Sequence, residues 1–485
     1  MTSEERGTDA ASARPRPEPP PERESTTEGR VAGIPYRATA ATYHLRDEEG
    51  KVRAALFHVA YVRTDVEDLR RRPVTFAFNG GPGSSSVWLH LGLLGPRRVR
   101  LGDEPIPPRP PYEAVENEHT VLDLSDLVLI DPVTTGWSRP VEGEEAKEFH
   151  GLDEDARWVA EFIRLWLSRH RRWESPRFLV GESYGATRAA ALSLHLADRL
   201  GIALNGVALI SPALAFQTMH PQLGNDLPYV LFLPGYAATA WYHGTIDRRR
   251  WGTVRELTDE VEDFALGEYA SVLLRGSRAS RREREAAHRG LRRYTGLPAD
   301  FLWRCDLRVP PTRFFKELLR DRRRTVGRLD SRVLGIDADA TGERPDYDPS
   351  YALVQGVFTA AVNQYLRRDL SFDSDLVYET ITERVQPWRW GEAGDGRYVE
   401  VASRLRAGMH RNRRMRVFVA CGYYDLATPF AAVEWILDHM GLDPELRPNL
   451  TLERYEAGHM MYVHEPSARR LRADLGRWLE EAAGD

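Results

Sequence analysis

Lysine is nearly missing from this chain: of 67 basic residues only Lys51, Lys147 and Lys316 are lysines. The skew fits a GC-rich genome and says nothing about chemistry. Cysteine is scarce as well. Cys305 and Cys421 are too few for a disulfide framework and lack zinc-ligand spacing, which fits a reducing compartment. No stretch of 18 uncharged apolar residues occurs, and the N-terminus carries no apolar run ahead of a cleavage-like site. The expectation is a cytoplasmic chain with neither signal peptide nor membrane span. Charge of one sign is also lacking, because 72 acids nearly balance the 67 bases to a net charge of -5. No overall field recruits nucleic acid or an anionic membrane.

What is present is an ordinary globular composition, 42% hydrophobic and 29% charged over 485 residues. That length suits two or three domains, or one large α/β domain with an insertion. Residues 1–30, with Pro15, Pro17 and Pro19 to Pro21 among polar residues, read as a disordered tail. Two strand-like stretches between Tyr43 and Val62 flank the turn-rich Asp47 to Gly50, as in a hairpin. Short apolar runs at Val74–Phe78, Leu127–Asp131 and Phe178–Gly181 predict strands buried on both faces. A helical repeat from Ala156 to Leu167 lies between the last two, with Asp153 as its expected cap.

A small-residue helix from Ala186 to Leu200 and strands at Gly206–Ile210, Arg416–Ala420 and Leu450–Tyr455 continue the alternation. Such a rhythm builds a mostly parallel central sheet with helices on both faces. It breaks over 216–348, which predicts an inserted helical cap dividing the core into 31–215 and 349–485. The arginine-rich runs in the insertion are punctuated by Glu283 and Glu285 and carry few aromatics. Solvated helix faces explain them better than nucleic-acid binding does.

Gly181-Glu182-Ser183-Tyr184-Gly185 joins a buried strand to a helix, the setting in which a tight turn lifts a serine hydroxyl above a sheet. A serine needs a neutral imidazole to take its proton, and the imidazole needs a carboxylate to fix its tautomer. Asp425 follows the strand at Arg416–Ala420, and His459 follows the strand at Leu450–Tyr455. Each is the acid or base nearest the C-terminal end of its strand, where open α/β sheets hold their sites. Asp438 and His464 are the substitutes, but both sit inside helical patterns. Gly80-Gly81-Pro82-Gly83 ends the strand Val74–Phe78, and a backbone N–H there can join that of Tyr184 in an oxyanion hole. No metal is expected, since His459 and His464 lie five apart and no acid stands at ligand spacing. No cofactor is expected either.

Asn79 to Ser85, Asp131 to Ser138, Gly181 to Gly185, Asp425 and Gly458-His459-Met460, in this order, resemble the signatures of the serine carboxypeptidases. The resemblance spans roughly Phe76 to Tyr462 except the insertion, and points to a bacterial-type member without a signal peptide. It implies an α/β-hydrolase fold with a helical cap and the release of single residues from peptide C-termini through an acyl-enzyme. By position it makes Ser183 the nucleophile, His459 the base and Asp425 its orienter. Gly81 and Tyr184 form the oxyanion hole, while Asn79, Gly80 and Glu182 bind the terminal carboxylate of a peptide substrate. Three positions depart from the family pattern: Leu93 stands where secreted members have a second glutamate, Ala77 replaces a tryptophan, and Ser84 replaces a cysteine.

The same acyl-enzyme chemistry also serves an esterase, an acyltransferase or a proline-specific aminopeptidase. Asn79 and Glu182 favour the carboxypeptidase over the aminopeptidases, which resemble it in the glycine-proline turn but usually have histidine where this chain has Asn79. A binding protein with a vestigial site is the reading of another class, and retention of all three triad residues counts against it.

Overall fold

The structure is a computed structural model and describes residues 19–101, 108–394 and 398–484. Nine strands make its main sheet: β1 Glu24–Val31, β2 Ile34–Arg46, β3 Val52–Arg63, β4 Val74–Phe78, β5 Asp126–Ile130, β6 Arg177–Glu182, β7 Gly206–Ile210, β8 Arg416–Gly422 and β9 Leu450–Tyr455. Their spatial order is β1-β2-β3-β5-β4-β6-β7-β8-β9, and a two-residue strand, Arg139–Pro140, pairs with β3. From β5 to β9 every pairing is parallel, whereas β1, β2, β3 and β5 pair antiparallel.

The continuous apolar runs have a simple cause. Phe76 and Phe78 of β4 and Val128 and Ile130 of β5 face one core, while Ala77, Leu127 and Leu129 face the other. Helices α1 Leu152–Arg169 and α2 Tyr184–Leu200 cover the first face through Phe162, Ile163 and Leu192. On the opposite face lie α3 Pro349–Gln364 and the C-terminal α4 Glu465–Gly484, through Phe358, Ala361, Leu471 and Trp478. With both faces buried, no polar alternation is needed.

Two local expectations fail. Residues 24–30, assigned to a disordered tail, belong to β1, which pairs residue for residue with β2 across the Ala32–Gly33 turn. Both turn residues have positive φ, 46° and 83°, the handedness a two-residue hairpin requires. Only Val31 of this edge strand is buried, so backbone pairing holds it and leaves no apolar period to read. Residues 1–18 of that tail lie outside the described residues. Asp153 is not the cap of α1: Gly151 takes the N-cap, and Asp153, Glu154 and Asp155 fill the first turn, where acids meet the positive end of the helix dipole.

Between β7 and β8 the chain leaves the sheet. Helices at Leu227–His243, Val254–Phe264 and Arg281–Thr295 gather a separate apolar cluster around Phe232, Leu257, Val261, Leu291 and Phe314. Leu426 of the main body joins this cluster. After α3, Glu379, Ile381, Arg389 and Glu400 pair in turn with Gly136, Ser84, Gly151 and Ala215, and the described stretch 378–394 forms a strap.

Candidate active site

Ser183 stands between β6 and α2 with φ 60° and ψ -125°, a backbone conformation that costs an L-residue energy. Its N–H donates to the Ile210 carbonyl of β7 at 2.9 Å. The flanking glycines are needed for closeness rather than for their own dihedrals. A Cβ on Gly181 would lie 2.2 Å from the Gly185 carbonyl oxygen, and one on Gly185 would lie 2.6 Å from that of Phe78. Ser183 is half-buried, its neighbours Glu182 and Tyr184 fully so.

His459 and Asp425 come together as the sequence order predicts. His459 Nδ1 lies 2.7 Å from Asp425 Oδ2, which fixes the tautomer with its proton on Nδ1 and leaves Nε2 as the proton acceptor. Asp425 is fully buried and accepts from the N–H groups of Ala427 and Thr428 and from Thr428 Oγ1. Burial pulls the His459 imidazole towards lower pKa. The charge and hydrogen bond of Asp425, with the charge of Glu182, outweigh this and raise it. The loop of His459 is tied to the end of β7 through Ser211, whose Oγ donates to the His459 carbonyl at 2.7 Å. The loops of His459 and Asp425 are both tied to the insertion, since His459 N–H donates to Leu329 O and Leu426 N–H, next to Asp425, to Arg328 O.

The glycine turn lies against the elbow. A Cβ on Gly80 would sit 2.4 Å from the Tyr184 nitrogen, so only glycine fits, and Gly81 follows with φ 104°. Tyr184 opens α2, where first-turn N–H groups have no acceptor within the helix. Asp131 sets the far side of the turn by accepting from the N–H and Oγ of Ser86, both at 2.8 Å. Burial pushes its carboxyl up to about 6, against those hydrogen bonds. The strap closes the rim. Ser84 Oγ donates to Thr380 O, and Trp388 and Trp390 pack edge-on against the Tyr184 ring.

Asn79 and Glu182 meet beside Ser183. Asn79 Nδ2 donates to Glu182 Oε2 at 2.7 Å, and the Asn79 side-chain oxygen accepts from Leu89 N–H. Tyr462 OH donates to the same Oε2 at 2.7 Å. Burial pushes the Glu182 carboxyl up to about 7, against the attraction of His459 and the hydrogen bonds from Tyr462 and Asn79. Behind them Arg188 pairs with Asp155 and donates to the Asn79 carbonyl.

The substitutes lie elsewhere. His464 Nδ1 meets Ser467, and Asp438 pairs with Arg447 at the surface. Leu93 is fully buried in the apolar core. Thr428, Ser211 and Tyr462 were not foreseen from sequence. Each acts through hydrogen bonds to residues distant in the chain or across a turn, which no spacing announces. Among the described residues one group could gather metal ligands, Glu118, His119 and Glu465, but Arg98 pairs with both of its acids.

The serine carboxypeptidase family profile matches residues 42–295, more than half of the chain. The chain belongs to the serine carboxypeptidase family. The matched span holds Asn79, Gly80, Gly81, Glu182, Ser183 and Tyr184; Asp425 and His459 lie beyond it and are placed by the geometry above. Among curated relatives, Serine carboxypeptidase-like 37 of Arabidopsis thaliana is 31% identical over 156 residues, 31% of this chain and 30% of that protein. The pheromone-processing carboxypeptidase kex1 of Talaromyces marneffei is 24% identical over 182 residues, 34% and 27% of the two chains. The chain thus spans about 30% of the length of the curated relatives it matches. A solved prohormone-processing carboxypeptidase from Saccharomyces cerevisiae superposes with TM-score 0.57 at 17% identity, covering 92% of each chain. The fold is that of an α/β hydrolase.

Proposed function

We infer that this family member is a serine carboxypeptidase in the functional sense, removing C-terminal residues from peptides. The observation that carries the reading is Glu182, buried next to Ser183 with an amide and a phenol but no cation bonded to it, so that burial pushes its carboxyl up to about 7. A protonated acid donates to a carboxylate; an ionised one repels it. In this reading Asn79, Gly80 and Glu182 take the terminal carboxylate of the peptide.

Ser183 Oγ then attacks the carbonyl carbon of the last peptide bond while His459 Nε2 takes its proton, and Asp425 stabilises the imidazolium. The Gly81 and Tyr184 N–H groups receive the negative charge that develops on the carbonyl oxygen, an effect of about 3 kcal/mol per donor. The C–N bond breaks as His459 returns the proton to the leaving amine. The released amino acid departs and water, deprotonated by His459, attacks the acyl-Ser183 ester. In this reading Trp388 and Trp390, which pack on the Tyr184 ring, help to wall the pocket for the substrate side chain.

The test compares N-blocked dipeptides bearing free C-termini with their amides and simple esters. A carboxypeptidase favours the free acid in kcat/KM below the Glu182 pKa. Equal rates for acid and amide, with faster ester cleavage, would assign the site to an esterase or acyltransferase instead.

A further inference from the structure

The carboxyl of Glu182 is held unevenly. Both internal donors, Asn79 Nδ2 and Tyr462 OH, reach Oε2 at 2.7 Å. An oxygen that accepts two hydrogen bonds is not the one that keeps the acid proton, so the proton of neutral Glu182 resides on Oε1. Tyr462 reaches this position because Gly92 makes room for its ring: a Cβ on Gly92 would lie 2.4 Å from Tyr462 Cε2. Gly92 immediately precedes Leu93, the position at which the expected second acid is replaced by leucine. Leu93 itself turns into the core, and the phenol arrives from the turn after His459.

We propose that Tyr462 takes over the work of the missing second acid: with Asn79 it pins Oε2 of Glu182 so that Oε1 presents its proton to the terminal carboxylate of a peptide. Tyr462 is a positioning residue and touches Glu182, not substrate. The inference rests on the carboxypeptidase reading. A phenol differs from a second carboxyl in one respect that matters here. It donates whether Glu182 is neutral or ionised, and it favours the ionised form because hydrogen bonds to charged acceptors are the stronger. Tyr462 therefore holds the acid in place and also lowers the pH at which the site lets go of a free C-terminus. The other groups that act on Glu182 are His459 and Asp425, from the loops after β9 and β8. Arg188 stands behind Asn79 and is paired with Asp155.

The experiment follows kcat and KM for an N-blocked dipeptide and its amide from mildly acid to mildly alkaline pH, in the full-length protein and in Tyr462→Phe. At the acid side of the profile the free-acid KM should rise about three- to tenfold, more than the amide KM, as expected for losing one hydrogen bond from the binding acid. The alkaline limb of the free-acid substrate should move up by about half to one pH unit, because the ionised form loses more than the neutral one. A role in packing alone would not move that limb. Gly92→Ala, which displaces the ring, should shift limb and KM in the same directions, and it decides the matter if Tyr462→Phe fails to fold. An unchanged limb in both variants, or an equal loss on acid and amide, overturns the role of Tyr462. That failure is distinct from failure of the carboxypeptidase reading, which would show in the wild type as no preference for the free acid.

Discussion

A carboxylate is buried at each end of the central strands, and the two are treated in opposite ways. At the N-terminal end Asp126, the first residue of β5, meets two guanidinium groups: Arg72 at 3.1 Å and Arg172 at 2.5 Å, all three side chains buried. Arg172 is further satisfied by Ser175 and the Arg72 carbonyl. At the C-terminal end Glu182, the last residue of β6, receives an amide and a phenol and no cation from this set. The first arrangement sets the acid between two cations. The second leaves the charge state of the acid to pH and to whatever ligand arrives, and leaves it next to a strained serine. Partner chemistry, more than burial, separates a structural acid from a functional one.

The comparison is sharpened by variants that should separate activity from stability in opposite senses. Ser183→Ala removes the nucleophile, and because triad members act as a unit, kcat should fall about 10⁴-fold or more. His459→Ala should do much the same, and the double variant should lose little further. The urea midpoint of Ser183→Ala should stay near that of wild type, since the hydroxyl is half-buried and the backbone strain is the same for alanine. A Ser183→Ala protein that keeps wild-type turnover would remove the triad from consideration. Asp126→Asn should do the reverse. It strands two buried guanidinium groups at a cost of about 3–5 kcal/mol, read as a lower urea midpoint. The preference of the folded protein for free acid over amide should not change. A change in that preference would mean that the two ends of the sheet are coupled, and the contrast drawn above would fail.

The functional end was the more legible of the two in the sequence, and the reason is geometric. Ser183 and Asp425 each follow a continuous apolar run and His459 follows the half-exposed edge strand β9, so their common end of the sheet could be read from chain order. The strands were visible because both faces are covered. β1 was not, because its side chains alternate between exposed and half-exposed and only backbone pairing holds it. The strap over 378–394 was equally silent, since isolated bridges to Ser84, Gly136 and Gly151 need no periodic sequence. Tyr462 escaped for a related reason. Its partner Glu182 lies 280 residues earlier, and a single tyrosine after a histidine loop announces nothing. Leu93 could be seen as a departure from the family pattern, but what fills the gap could only be seen in three dimensions.

The smallest expected effect tests the contrast most directly. Glu182→Gln keeps the shape of the site: the amide oxygen can accept from Asn79 and Tyr462, and the amide nitrogen can donate where protonated Oε1 did. Glutamine does not titrate, so the free-acid KM should stay flat across neutral pH. In wild type, with Glu182 pushed up to about 7, that KM should rise about tenfold by one pH unit above the midpoint. His459 must be neutral to act, and its raised pKa places the acid limb above the ordinary histidine value. Wild type therefore works on free acids in a neutral window that Glu182→Gln widens on the alkaline side. Stability follows the same group. The folded pKa of Glu182 lies above its unfolded value, so its contribution is fully present below the unfolded carboxyl pKa and is lost as pH rises through about 7. Beyond that point ionised Glu182 weakens the fold by about 3 kcal/mol, a penalty the glutamine variant does not carry. Glu182→Gln should consequently melt higher than wild type at pH 8 and show no such advantage at pH 5. If acid and amide substrates lose activity along one shared alkaline limb, or if the melting difference between the proteins does not grow with pH, Glu182 is not the group that gates free C-termini.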